Sequence, residues 1–354
     1  MRYVLIGDAE SPHLLKWARA LSVLPPIELW VASSRGFAPG FDGLVPPARR
    51  LALGTRPRSA GGNFGLLWQL PRLGRWLSRV DAAWLHAHYL SSHGTLAWLA
   101  QRLWRLKGRL VGSAWGSDIL VAPARSVWMR MLTRRVLRAC TLTTSDSQVM
   151  AARMHELGAA EVMVFPFGLE ALPPAPGAKD AQLFFANRGL EPIYAPQRVL
   201  QQFAAVAGSE GRLVVANDGS LRAALEQLAA AMGLSHRVQF VGRLAADEQA
   251  HWYARARWYM SLPLSDSVSV SVLEAMAHGC IPLLSDLPAN RELVRHDDNG
   301  LIVPAGALLA PLELAALRLR GDAIAMANHA WVREHALFAP CVQRFVNRLA
   351  ELAA

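Results

Sequence analysis

Along this chain, short apolar runs that end in glycine, serine or asparagine alternate with longer stretches whose apolar positions recur every three to four residues. That pattern predicts strands feeding loops and amphipathic helices, repeated from one end to the other. Residues 1–7 make an apolar strand ending at Gly7, followed by a polar loop at 8–13 and a helix through Lys16, Trp17 and Leu21. Further strands are expected at 27–32, at 82–88, from 110 toward Asp118, from 142 to the serine at 145, and at 162–168. Residues 39–65, rich in Gly, Pro and Arg, read as a long loop. In the second half, strands at 182–187, 213–217, 238–242 and 258–262 are separated by helices at 195–207, 221–232 and 248–256. Residues 328–353 are helical in pattern, with a break near Ala339 and Pro340. Strand, loop and helix in repetition is the signature of parallel α/β sheets.

One stretch, 264–286, supports two readings at its start. Val268, Val270 and Val272 alternate with serines, as a half-buried strand would. Val272, Leu273 and Met276 then fall at helical spacing, and Gly279 stands where a helix stops, so a polar loop runs into a helix N-terminus. A short buried strand at 280–284 follows. The first turn of such a helix presents unpaired N–H groups and a partial positive charge, both suited to a phosphate. Asp266 in the loop and Glu274 inside the helix would then sit at two depths of one cleft, placed to hold sugar and ribose hydroxyls.

The 354 residues suit two domains, and prolines at 173, 174 and 176 mark the boundary, because adjacent prolines cannot join a central strand or continue a helix. The expected division is 1–170, 171–330, and a tail at 331–354. No long uncharged apolar run and no signal-peptide pattern is present, and Cys140, Cys280 and Cys341 show no metal-ligand spacing, which points to a reducing cytoplasm. Residues 297–300, two aspartates, an asparagine and a glycine, read as an ordinary turn rather than a metal loop.

Asp266 and Glu274 with seven residues between them, followed by Ala275, Met276, Ala277, His278, Gly279, Cys280, Ile281 and Pro282, resemble the paired-acid signature of the retaining glycosyltransferases of family four. The resemblance spans nearly the whole chain. It implies the α/β GT-B fold, two Rossmann-like domains with doubly wound parallel sheets facing a cleft, with the tail crossing back to the first domain. It also implies a nucleotide-sugar donor, UDP- or GDP-linked, as substrate, with no metal or other cofactor. On the donor side it places Arg188 and Gly189, the segment with Gly242 and Arg243 near the base, and Ser267, Val268, Ser269 and Val270 at the diphosphate. Glu274 would hold the ribose and Asp266 the sugar. On the acceptor side it places Ser11, His13, Trp115, Gly116 and Asp118, with His88 at the end of its strand as a catalytic candidate. Two positions depart from the family pattern: Tyr194 stands at the usual Lys, and Trp115 at a frequent His.

Charge is unevenly spread. Residues 1–170 hold 21 Lys and Arg against 10 Asp and Glu, while 171–354 hold 16 against 17, and nine of the twelve tryptophans lie in the first half. Cations beside tryptophans at 68–79, 102–109 and 125–138 suit an anionic membrane surface. The resemblance implies hexosyl transfer, and with this basic half the expected acceptor is a glycan or lipid-linked one in cell-surface polysaccharide synthesis, the protein being cytoplasmic and peripheral on the inner face of the plasma membrane. The alternatives are a catalytically silent binding subunit, favoured by the two departures, and a sugar-nucleotide epimerase. Nucleic acid is not an expected partner, since no motif for it is present.

Overall fold

Seven parallel strands form the first sheet of the computed structural model, which describes residues 1–25, 27–55 and 64–353. They are β1 (Arg2–Ala9), β2 (Glu28–Phe37), β3 (Arg50–Ala52), β4 (Trp84–His88), β5 (Arg109–Ser113), β6 (Cys140–Ser145) and β7 (Val162–Val164), in spatial order β3-β2-β1-β4-β5-β6-β7. A second sheet holds β8 (Asp180–Ala186), β9 (Arg212–Ala216), β10 (Val238–Gly242), β11 (Ala256–Ser261), β12 (Ile281–Ser285) and β13 (Leu301–Val303), also parallel throughout, ordered β10-β9-β8-β11-β12-β13. Each sheet is Rossmann-like. In both, the order reverses beside the first strand, and such a reversal opens a crevice at the carboxyl ends of the two central strands. Those ends are β1 and β4 in the first sheet, and β8 and β11 in the second.

The apolar runs become central strands because both faces of each sheet are covered, so near-continuous apolar sequence is what burial requires. Phe184, Trp258, Tyr259 and Met260 are fully buried in the second sheet, as are Val4, Leu5 and Val31 in the first. Where the expected strand ended too soon, polar residues were the reason. β2 continues past Ala32 through Ser33 and Ser34, which are buried, and the Ser33 hydroxyl accepts a hydrogen bond from the Ala9 N–H at 3.0 Å. Internal hydrogen bonding lets the strand carry Ser33 inward, whereas the buried Ser34 hydroxyl has no partner among the described residues. The expected long loop at 39–65 contains β3, and its part at 56–63 lies outside the described residues.

The chain divides into one unit of Met1–Phe165 with Phe338–Ala354 and another of Pro166–Leu337. The boundary therefore precedes the proline-rich 172–177, and residues 331–337 stay with the second unit rather than with the returning tail. The tail's break falls at 336–337, between helices Gly321–His335 and Phe338–Ala353, just before the expected place. Pro340 sits in the first turn of the last helix, where its missing N–H leaves no bond unmade. Within the first unit, that helix packs Phe338 and Phe345 edge-on against the fully buried ring of Trp17, with centroids 5.1 and 5.3 Å away. Arg348 clamps Glu161 with two hydrogen bonds, at 2.7 and 3.0 Å.

Candidate active site

In the second unit, the loop leaving β8 brings Arg188 to the crevice, and the loop leaving β11 brings Asp266. Their side chains pair, with Nη2 of Arg188 donating to Oδ2 of Asp266 at 2.6 Å. Nη1 of the same guanidinium donates to the Ser269 hydroxyl, and its carbon lies 4.5 Å from the ring centroid of Tyr194. The Nε of Arg188 is buried and has no hydrogen-bond partner among the described residues. Burial pushes the Asp266 carboxyl up from the usual carboxylate range, while Arg188 and the Ser267 N–H pull it back.

Tyr194, the departure from the family's Lys, is thus the platform on which Arg188 lies, a cation–π contact rather than a second cation. Gly189 makes room for it, because a Cβ there would stand 3.3 Å from the tyrosine ring. The two loops are also tied by the Leu264 N–H donating to the Ile193 carbonyl at 2.9 Å.

Ser269 is the N-cap of helix Val270–Ala277, yet its hydroxyl serves Arg188 and does not cap the helix. The N–H groups of Val272 and Leu273 go to the Ser269 carbonyl, whereas those of Val270 and Ser271 make no bond among the described residues. The ambiguous valine–serine alternation resolves here: Ser267 and Val268 are buried in a bend, Ser269 is buried with extended backbone, and the helix starts at Val270. The result is a helix terminus with open donors beside a guanidinium, which is chemistry for a diphosphate.

One turn further in, Glu274 accepts a hydrogen bond from the Tyr253 hydroxyl at 3.1 Å. That hydroxyl receives one from the Asn187 side-chain amide at 2.7 Å, and Oδ1 of Asn187 accepts from the Tyr259 hydroxyl at 2.8 Å. Asn187, Tyr253 and Tyr259 were not among the sequence candidates. They come from the residue just after β8, the helix Ala246–Arg255 and β11, and no local spacing links them. Gly242, with φ of +74°, ends β10; its carbonyl accepts from the Asn217 N–H at 2.6 Å, and the Asn217 amide donates to the Asn187 carbonyl at 3.3 Å. Gly242 is linked to the crevice through Asn217, and Arg243 beside it is exposed.

In the first unit, Ser11, His13, His88, Trp115, Gly116 and Asp118 do gather at the carboxyl ends of β1, β4 and β5. Ser11 is occupied as the N-cap of helix Pro12–Ser22, accepting from the His13 N–H. The Trp115 ring lies 4.4 Å from His13 and stacks on Tyr89 at 5.9 Å, and its Nε1 donates to Nδ1 of His88 at 3.2 Å. His88 therefore carries its proton on Nε2, a buried atom with no partner among the described residues. His88 itself is only 2% exposed, enclosed by His86, Trp17 and Trp115.

The expectation that Asp118 faces an acceptor is corrected. It is 1% exposed, and its two oxygens accept the backbone N–H groups of Leu90 and Trp115, at 2.8 and 2.9 Å. It positions the two loops. Gly116 holds φ of +97° and ψ of −75°, a conformation that a side chain would strain. Tyr89, at φ of +61°, adopts left-handed backbone without being glycine, and single π-helical turns follow at Tyr89–Gly94 and Ser117–Val121. Backbone of both kinds concentrates at functional sites.

Four histidines of this unit are held neutral. Burial lowers His86 to about 3, His93 to about 4, and, with Lys16 adding, His13 to about 4, while His88 lies well below its usual value. An unfolded chain takes up these protons as pH falls through about 6.5, but the folded one does not. The thermal midpoint should therefore be level above about pH 7 and fall steadily from pH 6.5 toward 5. A midpoint unchanged down to pH 5 would contradict the buried neutral assignment.

Among the described residues, no group of three His, Cys, Asp or Glu is placed to hold a metal ion. Comparison with known proteins adds the following. A family model described as "Glycosyl transferases group 1" matches residues 181–321, and one described as "Glycosyl transferase 4-like" matches 3–147. A D-inositol 3-phosphate glycosyltransferase of Streptomyces bingchenggensis is 25% identical over 346 residues, covering 84% of this chain and 74% of that protein. A glycosyltransferase of Methanocaldococcus jannaschii is 30% identical over 92 residues, so the match spans 26% of this chain and about a quarter of that relative, 24%. Among solved structures, HepE of Anabaena in complex with UDP-glucose superposes with a TM-score of 0.78 at 15% identity, over 99% of this chain and 100% of that one. At that identity the likeness is one of fold.

Proposed function

The chain belongs to the group 1 glycosyltransferases, and from that premise we propose that it moves a hexosyl group, with retained anomeric configuration and without a metal ion, from a UDP- or GDP-sugar to a glycan acceptor. The observation that carries the reading is the cluster of Arg188, Asp266 and Ser269 at the N-terminus of helix Val270–Ala277, with Glu274 behind it. In transfer, the bond from the anomeric carbon to the diphosphate breaks as the bond to an acceptor oxygen forms. The acceptor proton leaves with the departing nucleoside diphosphate. Negative charge develops on that leaving group, where Arg188 and the N–H groups of Val270 and Ser271 wait, and preorganised donors of this kind carry much of a transferase's acceleration.

Asp266 holds the sugar hydroxyls, Glu274 the ribose, and Asn187, Tyr253 and Tyr259 orient Glu274. On the other unit, His13 and Trp115 receive the acceptor, with His88 enclosed behind them and holding the Trp115 ring by accepting its N–H. We take the acceptor to be lipid-linked and part of cell-surface glycan synthesis, with the protein on the cytoplasmic side. HepE, solved with UDP-glucose, favours uridine as the base. A second reading, a silent binding subunit, draws on Arg188 being paired already and on Tyr194 replacing a cation.

Thermal unfolding with UDP-, GDP-, ADP- and CMP-sugars in EDTA separates the two. A donor at 100 times its dissociation constant adds about 2.7 kcal/mol, so a shift with one nucleotide class is the expected result. A cooperative melt that no donor shifts would favour the silent subunit.

A further inference from the structure

We propose that the groove between helices Thr95–Leu103 and Val127–Ala139 seats the phosphate headgroups of an anionic membrane, with Val127, Trp128 and Met131 entering the interface beside it. This goes beyond sugar transfer and does not depend on it. Residues 82–145 contain nine Lys and Arg and a single acid, Asp118. That acid is buried and its oxygens are engaged by backbone N–H groups, so it neutralises nothing on the surface.

Helix Val127–Ala139 turns Val136, Leu137 and Thr133 into the unit and presents Val127, Trp128, Arg130, Met131, Arg134, Arg135 and Arg138 outward, with no acid among them. Trp128 is 79% exposed and Val127 67%; Leu103, at the end of the neighbouring helix, is 64%. Arg102, Arg135 and Arg138 line the groove with Trp98 and Leu103. None of the three arginines pairs with a carboxylate among the described residues, and Arg102 lies 5.9 Å from the Trp98 ring centroid. Elsewhere the chain does pair its arginines, as Arg153 with Glu156, Arg212 with Asp180 and Arg348 with Glu161.

Unpaired cations alone would suit any anion. The exposed tryptophan and aliphatic side chains next to them select a surface that is anionic outside and apolar beneath. Among the described residues no helix is long and apolar enough to cross a membrane, so contact of this kind lies along the surface. Arginine suits it because its stem lies on apolar groups while the guanidinium reaches phosphate.

Co-sedimentation of the full chain with vesicles of phosphatidylcholine, alone or with about 30% phosphatidylglycerol, tests this. Binding is expected to the anionic vesicles only, and to weaken with salt. Each cation near such a surface is worth roughly a factor of five, so the double variant Arg135→Glu/Arg138→Glu should weaken partitioning by at least about tenfold. Trp128→Ala should weaken it as well. The double reversal Arg295→Glu/Arg318→Glu on the second unit, of equal charge, should leave it unchanged, and exposed positions let all variants keep the parent's melting midpoint. The proposal is overturned by equal binding to both vesicle types or to neither. It is also overturned by a groove variant that partitions like the parent, or by single-stranded RNA that binds through Arg135 and Arg138 when anionic vesicles do not. Donor-dependent thermal shifts measured on the same variants report on transfer separately.

Discussion

Replacing Arg188 with alanine is expected to erase the donor-dependent thermal shift and to lower kcat/KM by about 10²- to 10³-fold, the cost of losing a preorganised donor to a developing anion, about 2.7–4 kcal/mol. Three contacts converge on this side chain: Asp266, Ser269 and the Tyr194 face. Removing it takes the cation from the helix terminus and also leaves the Asp266 carboxylate in a largely buried place without its partner. Asp266 already titrates above its usual range because of burial, and without Arg188 it should rise further. A neutral Asp266 is a poorer acceptor for sugar hydroxyls, so one substitution damages two roles. Arg188→Lys restores charge but neither the fork that reaches Asp266 and Ser269 together nor the flat face that lies on Tyr194, and it should recover only part of the loss. A folded Arg188→Ala protein that still melts later with donor, by the parent's increment, would remove the diphosphate role.

Glu274→Ala is expected to reduce turnover by about 10²- to 10⁴-fold while leaving the fold intact. Hydrogen bonds to a charged group contribute about 1.5–3 kcal/mol each, and two ribose hydroxyls held by one carboxylate bring the sum into that range. The fold should survive because Tyr253 has a second acceptor ready: its hydroxyl stands 3.2 Å from the Ser271 carbonyl and 3.1 Å from Glu274. Taking the carboxylate away does not orphan the Tyr253 hydroxyl. The role is specific enough to test without the acceptor. The parent should prefer a ribonucleoside diphosphate over its 2′,3′-dideoxy analogue, and Glu274→Ala should bind the two alike. If the variant kept the parent's preference, the ribose would have to be held by some other group. Tyr253→Phe should shift the preference partway, since it removes one hydrogen bond that orients Glu274 without removing the carboxylate.

How much of this was legible in the sequence follows from how far apart the interacting residues lie. The strand, loop and helix repeats, the helix that starts near Ser269 and the stop at Gly279 are local events, set by periodicity and by one residue's tolerance of φ near +80°. The position of Arg188 at the end of β8 and of Asp266 after β11 was legible too. Their pairing was not, because 78 residues separate them and only the reversal of strand order beside β8 makes those two ends neighbours. Asn187, Tyr253 and Tyr259 stayed invisible for the same reason, each being an ordinary residue of its own element. Asp118 and His88 were found by position and misjudged in exposure, since an acid or a histidine at a strand end looks the same in sequence whether it faces solvent or is enclosed. The domain boundary moved from the prolines to Phe165 and Pro166, and the return to Phe338, because the last helix's aromatic face belongs to Trp17 of the first unit. By itself, then, the sequence determined what each segment would become and which chemistry it would carry. Tertiary structure decided which segments meet, since parallel strands are joined only by long crossovers and their ends become neighbours through the whole sheet.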